Sequence, residues 1–257
     1  MASRKAVASA EACARLLFQA RTKGFRLYDI PATCRPQNVH EGYESQTQLI
    51  KLLGRKRIGF KVANTNETSQ KFLNLNELFF GPLLESELVG KVGTRDKPAQ
   101  LKGMSKLSLR LCEPEFAFLL GDDKKIVAVA PAIEIVHSRF LDWKGVGAPT
   151  LIADLACNGA WVRGEAVDIS KVKLDGCVLR ISGKEFAQGK AERVLGSPFN
   201  VFENLCAQKH IFDQLVPGDW ITTGVCVDPP YHYCAIGDDV EADFDGGLGT
   251  VALKCLK

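Results

Sequence analysis

The chain of 257 residues has no long apolar run and no strong charge of either sign. No apolar stretch approaches the roughly 18 residues that a membrane-spanning helix needs, so we expect no membrane partner. The formal net charge is +3, and basic and acidic residues are interspersed along the sequence. This balance lacks the concentrated basic charge of proteins that bind nucleic acid, so we expect no nucleic-acid partner either.

The nine cysteines include no Cys-x-x-Cys pair, and their number is odd. Several lie within apolar segments, a usage typical of a reducing compartment, where cysteine acts as a small hydrophobic residue. None of the four histidines pairs with a cysteine at zinc-ligand spacing, which argues against a zinc site. These features predict a cytoplasmic protein.

Residues 1–26 leave one alternative for localisation. Up to Arg26 the chain has six basic residues and only Glu11 as an acid, with many alanines and serines, as in organellar transit peptides. The apolar residues of the same segment also recur at helical spacing, which predicts an amphipathic first helix docked on the protein body. We favour the helix and keep the organellar location as the alternative.

The pattern along the chain predicts an α+β protein. The 46% apolar content suffices to bury one or two cores. We predict an N-terminal helical or α+β segment at 1–90 and a β-rich catalytic core at 91–257. Helices are predicted at 5–22, near 44–55 and at 198–212, with a loop at 63–69. Strands or extended segments are predicted at 58–62, 79–84, 116–120, 126–136, 159–167, 173–182, 219–226 and 249–255.

Two glutamates one residue apart, Glu113 and Glu115, lead into an apolar strand. Side chains alternate between the faces of a strand, so these two project to the same side. A third carboxylate, Glu134, interrupts the next apolar run. Carboxylates buried together repel each other unless a cation lies between them, and three oxygen ligands suit Mg²⁺ or Mn²⁺. The alternative is a solvated edge strand, which Pro114 favours.

Several motifs that occur in order along the chain resemble one known family. The most specific are Phe-Gly-Pro-Leu-Leu at 80–84, Glu-Pro-Glu-Phe-Ala-Phe at 113–118 and Pro-Ala-Ile-Glu-Ile-Val at 131–136. Further motifs lie at 58–62, 138–139, 142–143, 153–154, 194–198, 217–219, 222–224 and 237–238. Over residues 58–257 the chain resembles the 2-oxopent-4-enoate hydratase and 4-oxalocrotonate decarboxylase branch of the fumarylacetoacetate hydrolase superfamily. Residues 1–57 agree only in their general helical character.

The resemblance implies a mixed β-roll core of the fumarylacetoacetate hydrolase C-terminal type. It implies Mg²⁺ or Mn²⁺ held by Glu113, Glu115 and Glu134, and a small-molecule 2-oxo acid or 2-hydroxydienoic acid as substrate. The implied activity is that of a lyase, a hydratase or decarboxylase that works through a metal-stabilised dienolate. The resemblance also implies a homo-oligomer and a role in aromatic catabolism.

Four further residues are candidates for the site. Lys61 matches the family's lysine and is expected to position substrate or shuttle a proton. Thr223 and Gly224 end a strand and are expected to bind the substrate carboxylate, although an ordinary strand-end turn explains them equally well. Arg139 is expected to bind a substrate anion or to form a structural ion pair with Asp142.

The chain departs from the family pattern at Phe79, Leu155 and Cys157, where relatives carry an acidic residue, Asn and Ser. Each replacement removes a group that can form hydrogen bonds in the pocket. A drier pocket favours decarboxylation over hydration within the lyase class. Two alternatives stay open: a catalytically depleted homologue that serves as a binding or assembly subunit, and a C–C hydrolase of acylpyruvate type, for which the adjacent His40 and Glu41 are poorly arranged.

Overall fold

The computed structural model describes residues 4–230 and 232–257. Within these residues the chain forms six α-helices and thirteen β-strands. The helices are α1 (Arg4–Lys23), α2 (Val39–Leu53), α3 (Glu67–Leu73), α4 (Ala148–Ala153), α5 (Pro198–Ala207) and α6 (Lys209–Phe212). None of the described helices combines the length and the hydropathy that crossing a bilayer requires.

Local capping explains where the helices differ from the predictions. The predicted helix near 44–55 begins earlier, at Val39, because the Asn38 side chain accepts a hydrogen bond from the Glu41 backbone N–H at 3.0 Å. In the same way, the Asn66 side chain accepts from Ser69 N at 3.0 Å and starts α3 inside the predicted loop. The predicted helix at 198–212 is interrupted at Gln208, which has an extended backbone.

The strands build two sheets. Their bounds are β1 (Arg57–Ala63), β2 (Phe79–Leu84), β3 (Ala99–Leu101), β4 (Leu111–Leu120), β5 (Ile126–Val136), β6 (Ala160–Arg163), β7 (Val167–Asp168), β8 (Gly176–Ile181), β9 (Lys184–Lys190), β10 (Trp220–Thr222), β11 (Val227–Asp228), β12 (Asp239–Phe244) and β13 (Gly249–Cys255). The first sheet has the order β2-β1-β10-β4-β5-β6, with β7 also on β5, and the second has the order β11-β9-β8-β12-β13-β3.

Parallel and antiparallel pairs occur in both sheets, which confirms the prediction of an α+β fold with a mixed β core. β1 pairs with β10 in parallel, whereas β10 pairs with β4 and β4 with β5 in antiparallel fashion. The two sheets share one apolar core, in which the Phe116 ring meets the Phe244 ring edge-on at 5.1 Å between centroids. All nine cysteines are free thiols and eight of them are buried, in keeping with their expected use as small hydrophobic residues.

The predicted boundary near residue 90 lies between strands of one sheet. β1 and β2 precede it, whereas β10, β4, β5, β6 and β7 follow it, and all seven are hydrogen-bonded into the first sheet. The helices of the first segment contribute Cys13, Leu17 and Leu49 to a second apolar cluster, which also includes Phe140 and Leu155 from the later part of the chain. The division into 1–90 and 91–257 stays a prediction, but the sheet that carries the candidate site uses strands from both parts.

Candidate metal centre

The pairing of β4 with β5 brings the three predicted glutamates together. Glu113 lies directly opposite Glu134 in the antiparallel ladder, and Glu115 follows two residues later on the same face of β4. One carboxylate oxygen from each of the three lies within 4.8 Å of the others. Alternation along β4 therefore explains why Glu113 and Glu115 lie on the same face. The register of the β4–β5 ladder explains why Glu134, on β5, lies beside them.

These carboxylates are buried with little compensation. Glu115 is 0% exposed and Glu134 is 2% exposed, whereas Glu113 is partly exposed. Among the residues that the structure describes, neither side-chain oxygen of Glu115 has a hydrogen-bond partner, and Glu134 has only the ammonium of Lys61, 3.0 Å from its Oε2. Buried polar atoms are almost always satisfied in folded proteins, so these orphaned oxygens favour a ligand from outside the chain.

The pKa values of all three carboxyl groups lie above their ordinary range. Burial, together with the charge of Glu134, raises the pKa of Glu113 to about 8. Burial also raises the pKa of Glu115, and Glu134 and Glu113 raise it further. For Glu134, burial raises the pKa while the facing Lys61 lowers it, and the outcome is a raised value. The protein alone therefore does not hold all three groups ionised at neutral pH.

Lys61 reaches this cluster from β1. Its Nζ lies 3.0 Å from Glu134 Oε2 and donates a hydrogen bond to the Ala156 backbone oxygen at 2.8 Å. Burial alone would lower the pKa of Lys61, but the carboxylates around it, Glu134 first, raise the value overall. The lysine therefore stays a cation at neutral pH and provides a fixed positive charge beside the glutamates.

A turn at Leu155–Cys157 supplies the carbonyl that holds Lys61. All three of its residues have left-handed φ angles of 53–60°. Gly81, the β2 residue opposite Lys61, makes this approach possible, because a Cβ atom there would lie 2.3 Å from the Leu155 backbone oxygen. Sequence reasoning missed the role of Ala156, because its contact is made by a backbone carbonyl, which any residue carries. The glycine of the Phe-Gly-Pro motif was the one local indication that another backbone segment approaches β2 closely.

A divalent cation fits this donor set. Three ionised glutamates and one protonated lysine leave two negative charges, which a divalent ion neutralises. All the side-chain donors are carboxylate oxygens, the ligands that Mg²⁺ and Mn²⁺ prefer. The orphaned oxygens and the raised pKa values are both relieved when such an ion binds.

A small cavity adjoins the cluster. Its volume is about 90 Å³, and Lys61, Glu113 and Ala156 form one end of it. Apolar side chains cover one wall: Phe72, Phe79, Leu111, Val136, Trp143 and Leu151. The departure at Phe79 thus lies in the cavity wall.

Another part of the lining is polar, which sequence reasoning did not anticipate. Asn64, Thr65, Asn66 and Ser69 line it. Asn64 donates to the Leu75 and Glu77 backbone oxygens at 2.6 and 2.8 Å, while its own side-chain oxygen is buried and finds no partner among the described residues. The predicted loop at 63–69 therefore supplies polar groups that the departures at Leu155 and Cys157 remove elsewhere.

Of the two predicted residues after β10, Gly224 lines the cavity and Thr223 does not. The Thr223 hydroxyl and backbone N–H both donate to the Phe116 backbone oxygen at 3.1 Å. Gly224 has φ +83° and packs so closely on Thr65 that a Cβ atom would lie 2.0 Å from the threonine hydroxyl. A role for either residue in binding the substrate carboxylate stays a prediction.

Arg139 is fully engaged with a partner that the sequence analysis did not assign to it. Its Nε lies 2.6 Å from Asp154 Oδ1, and its other nitrogens donate to the Asp154 and Asn158 backbone oxygens at 2.9 Å. The ion pair is therefore made with Asp154 rather than with the suggested Asp142. Arg139 does not line the cavity beside Lys61. Substrate binding by Arg139 stays a prediction without geometric support.

The raised carboxyl pKa values predict how pH acts on the metal-free protein. Glu113 titrates near 4.5 when unfolded and near 8 when folded, so between these values the folded state binds more protons. Stability is therefore fully present below pH 4.5 and is lost as pH rises through 8. We expect the Tm in chelator to fall by about 5 °C or more between pH 5 and pH 8.

Added Mg²⁺ should reverse this trend, because only ionised carboxylates bind the ion and its affinity rises with pH. Thermal unfolding across this pH range, with chelator and with Mg²⁺, measures both effects. Glu113→Gln serves as the matched variant, in which the fall should shrink. A Tm in chelator that is flat with pH in the unmodified protein would contradict the assignment of buried, proton-binding carboxyl groups.

Comparison with known proteins assigns the chain to a family. No protein-family model matches it. It is 31% identical over 209 residues to 2-keto-4-pentenoate hydratase of Paraburkholderia xenovorans strain LB400, and the aligned part covers 74% of each chain. It is 29% identical over 179 residues to 4-oxalocrotonate decarboxylase of a Pseudomonas species, and the aligned part covers 62% of this chain and 65% of the relative.

Solved structures share the fold. The 4-oxalocrotonate decarboxylase of Pseudomonas putida G7, solved with magnesium and adipate, superposes with a TM-score of 0.83 over 99% of this chain and 98% of that one, at 20% identity. A fumarylacetoacetate hydrolase family protein of Yersinia pestis CO92 superposes with a TM-score of 0.56 over 77% of this chain and 92% of that one, at 19% identity. The chain therefore belongs to the 2-keto-4-pentenoate hydratase family, and it shares its fold with 4-oxalocrotonate decarboxylase and with a fumarylacetoacetate hydrolase family protein.

Proposed function

We propose that the protein is a divalent-metal-dependent lyase, a hydratase or decarboxylase, that acts on a 2-oxo or 2-hydroxydienoic acid. The observation that carries the proposal is the convergence of Glu113, Glu115 and Glu134 beside Lys61, with both oxygens of the buried Glu115 unsatisfied within the described chain. Such a group is costly to fold and has a chemical use when it holds a cation. Family membership supports the same reading, since the relatives named above are hydratases and a decarboxylase.

The three glutamates would hold Mg²⁺ or Mn²⁺. When bound, the ion would accept the negative charge that collects on the C2 oxygen of a 2-oxo acid as it enolises. Glu115 and Glu134 are buried and do not line the cavity, whereas the partly exposed Glu113 does. The substrate therefore meets the site from the Glu113 side.

Lys61 would orient the substrate by a hydrogen bond. Its ammonium has three N–H donors, and its contacts to Ala156 and Glu134 fix the direction of the group. A remaining donor is available to a substrate oxygen in the cavity that Lys61 lines. Because its pKa is raised, Lys61 gives up a proton only when the transfer is coupled to the reaction.

The two walls of the cavity would divide the remaining work. The apolar wall, with Phe79 and Leu111, keeps bulk water from the reacting carbons. The polar wall carries the unpaired Asn64 side-chain oxygen, which can accept a hydrogen bond from a water molecule or from a substrate hydroxyl. Hydration requires a bound water molecule, which the polar side chains could hold. Decarboxylation requires none, so both reactions are compatible with this lining.

The deciding experiment follows the ultraviolet absorbance of 2-hydroxypenta-2,4-dienoate and of 4-oxalocrotonate with purified protein, with Mg²⁺, with Mn²⁺ and with chelator. We expect chelator-sensitive loss of one of the two chromophores, and the substrate consumed distinguishes hydratase from decarboxylase. A protein that binds the ion but consumes neither compound would favour the catalytically depleted subunit. Light scattering on the same sample tests the expected homo-oligomer, and cell fractionation tests the cytoplasmic location.

A further inference from the structure

A second and larger cavity lies behind the wall of the first. Its volume is about 1120 Å³, and it lies between the end of α1, the 102–110 segment and residues 137–139 and 158–160. Val136 and Cys157 line the small cavity beside Lys61, whereas the next residues along the chain, His137 and Asn158, line the larger one. We call it the cationic cleft because of its charge.

Positive charge is concentrated in the cationic cleft. Eight Arg or Lys side chains line it, and Glu87 is the one acid among its described lining residues. The formal net charge of the whole chain is only +3, so the rest of the protein carries a net negative charge. The cleft is therefore a local feature and does not reflect a generally basic surface.

Three of the eight cations have an evident structural use. Arg139 Nε lies 2.6 Å and Arg21 Nε 3.3 Å from Asp154 Oδ1, and Arg21 Nη1 lies 3.5 Å from Glu87 Oε1. Lys23 lies in the last turn of α1, where a cation complements the helix dipole.

The other five cations lack acidic partners. They are Arg26, Arg55, Lys102, Lys106 and Arg110. Within residues 4–230 and 232–257, none of them has an acidic oxygen within 4.0 Å. Arg110 donates one hydrogen bond to the Leu107 backbone oxygen at 2.8 Å, and the other four side chains are exposed. Arg55 also donates to the Ser86 hydroxyl at 3.4 Å and helps to lower the pKa of Glu87. None of the five forms an ion pair within the described chain, and the four exposed ones are accessible to a ligand.

The positive charge affects the half-buried His137, which lines the cleft. His137 hydrogen-bonds through Nδ1 to the Ser108 backbone N–H at 3.1 Å. Burial, followed by the charges of Arg139, Arg21 and Arg26, lowers the pKa of His137 to about 2. Gathering like charges costs free energy, which an anion in the cleft would recover.

We propose that the cationic cleft binds a small, multiply charged oxyanion, a molecule that carries several phosphate or carboxylate groups. Arginine presents a planar fork that matches both groups, and lysine adds point charges. Five cations without an ion-pair partner in the described chain suit a ligand with several negative charges better than a single anion. The volume is close to that of ordinary small-molecule sites, which favours a metabolite over a macromolecule.

The test measures binding directly and does not use catalysis. Metal-free protein is titrated calorimetrically with tripolyphosphate and, separately, with citrate, so that chelation at the glutamates plays no part. The variant is Lys102→Glu with Lys106→Glu. The matched control is Lys171→Glu with Lys190→Glu, which makes the same charge change at exposed lysines outside the cleft.

We expect saturable binding of at least one probe to the unmodified protein and to the control, weakened by about tenfold or more in the cleft variant and by added salt. Tripolyphosphate binding alone assigns the ligand to phosphates, and citrate binding alone assigns it to carboxylates. No saturable binding, or equal binding by both variants, overturns the proposal. A change in the oligomeric state of the cleft variant without probe binding also overturns it, because the cleft would then be a contact between copies of the chain. Tighter binding of a single-stranded oligonucleotide than of either probe overturns it as well.

Discussion

Replacing Glu115 by glutamine is expected to abolish divalent-ion binding and turnover together. The substitution keeps the shape of the side chain and removes the charge of a fully buried ligand candidate whose two oxygens have no partner in the described chain. Changes to groups that merely support metal ligands cost about 10- to 100-fold in affinity, so loss of a ligand should cost at least about 100-fold. Turnover should fall by about 1000-fold or more, since metal-ion catalysis supplies several kcal/mol.

The same substitution should leave the metal-free protein at least as stable. Burial and the charges of Glu134 and Glu113 raise the pKa of Glu115. Replacing it by a neutral glutamine therefore removes a repulsion rather than a favourable contact. The measurements are Mg²⁺ titration calorimetry, turnover of the substrate identified above and Tm in chelator. Glu165→Gln, at an exposed position, is the control and should change none of the three. Glu115→Gln protein that turns over normally with Mg²⁺ would remove the metal centre as described.

Replacing Lys61 by methionine is expected to separate catalysis from metal binding. Methionine keeps most of the length of the side chain and removes the ammonium that contacts Glu134 and the Ala156 oxygen. A positioned proton donor contributes about 100- to 10,000-fold in rate, so turnover should fall by that factor. Mg²⁺ affinity should be retained, because a neighbouring positive charge opposes the binding of a cation.

The metal-free Lys61→Met protein should also lose about 3–5 kcal/mol of stability, because Glu134 is left buried without its partner. Saturating Mg²⁺ should restore most of it. Urea unfolding with and without Mg²⁺, calorimetry and turnover report the three effects. Lys56→Met, an exposed lysine just before β1, is the matched control. If the Lys61→Met variant loses ion binding and activity in proportion, Lys61 supports the metal ligands and does not act on substrate.

The sequence by itself predicted the three glutamates and the lysine of the candidate metal centre. Alternation along β4 placed Glu113 and Glu115 on one face, and the Pro-Ala-Ile-Glu motif pointed to Glu134 as the third ligand. Both signals are local, and local periodicity survives into the fold because a buried strand must keep its apolar face inward. The strands at 79–84, 126–136 and 249–255 were predicted with their observed bounds for the same reason.

Only the tertiary structure decided the contacts that depend on register or on backbone shape. Asp154 rather than Asp142 pairs with Arg139, although both lie within 15 residues of it along the chain, because the turn after α4 brings Asp154 under the guanidinium. The Ala156 carbonyl reaches Lys61 only because Gly81 leaves room for a left-handed turn.

The cationic cleft is the clearest case of this kind. A net charge of +3 spread along the sequence gave no hint of it, since its cations come from segments that are distant along the chain, such as Arg26, Arg55 and Lys102. Charge concentration is a property of the folded surface, where distant residues become neighbours. Composition and local pattern therefore cannot report it.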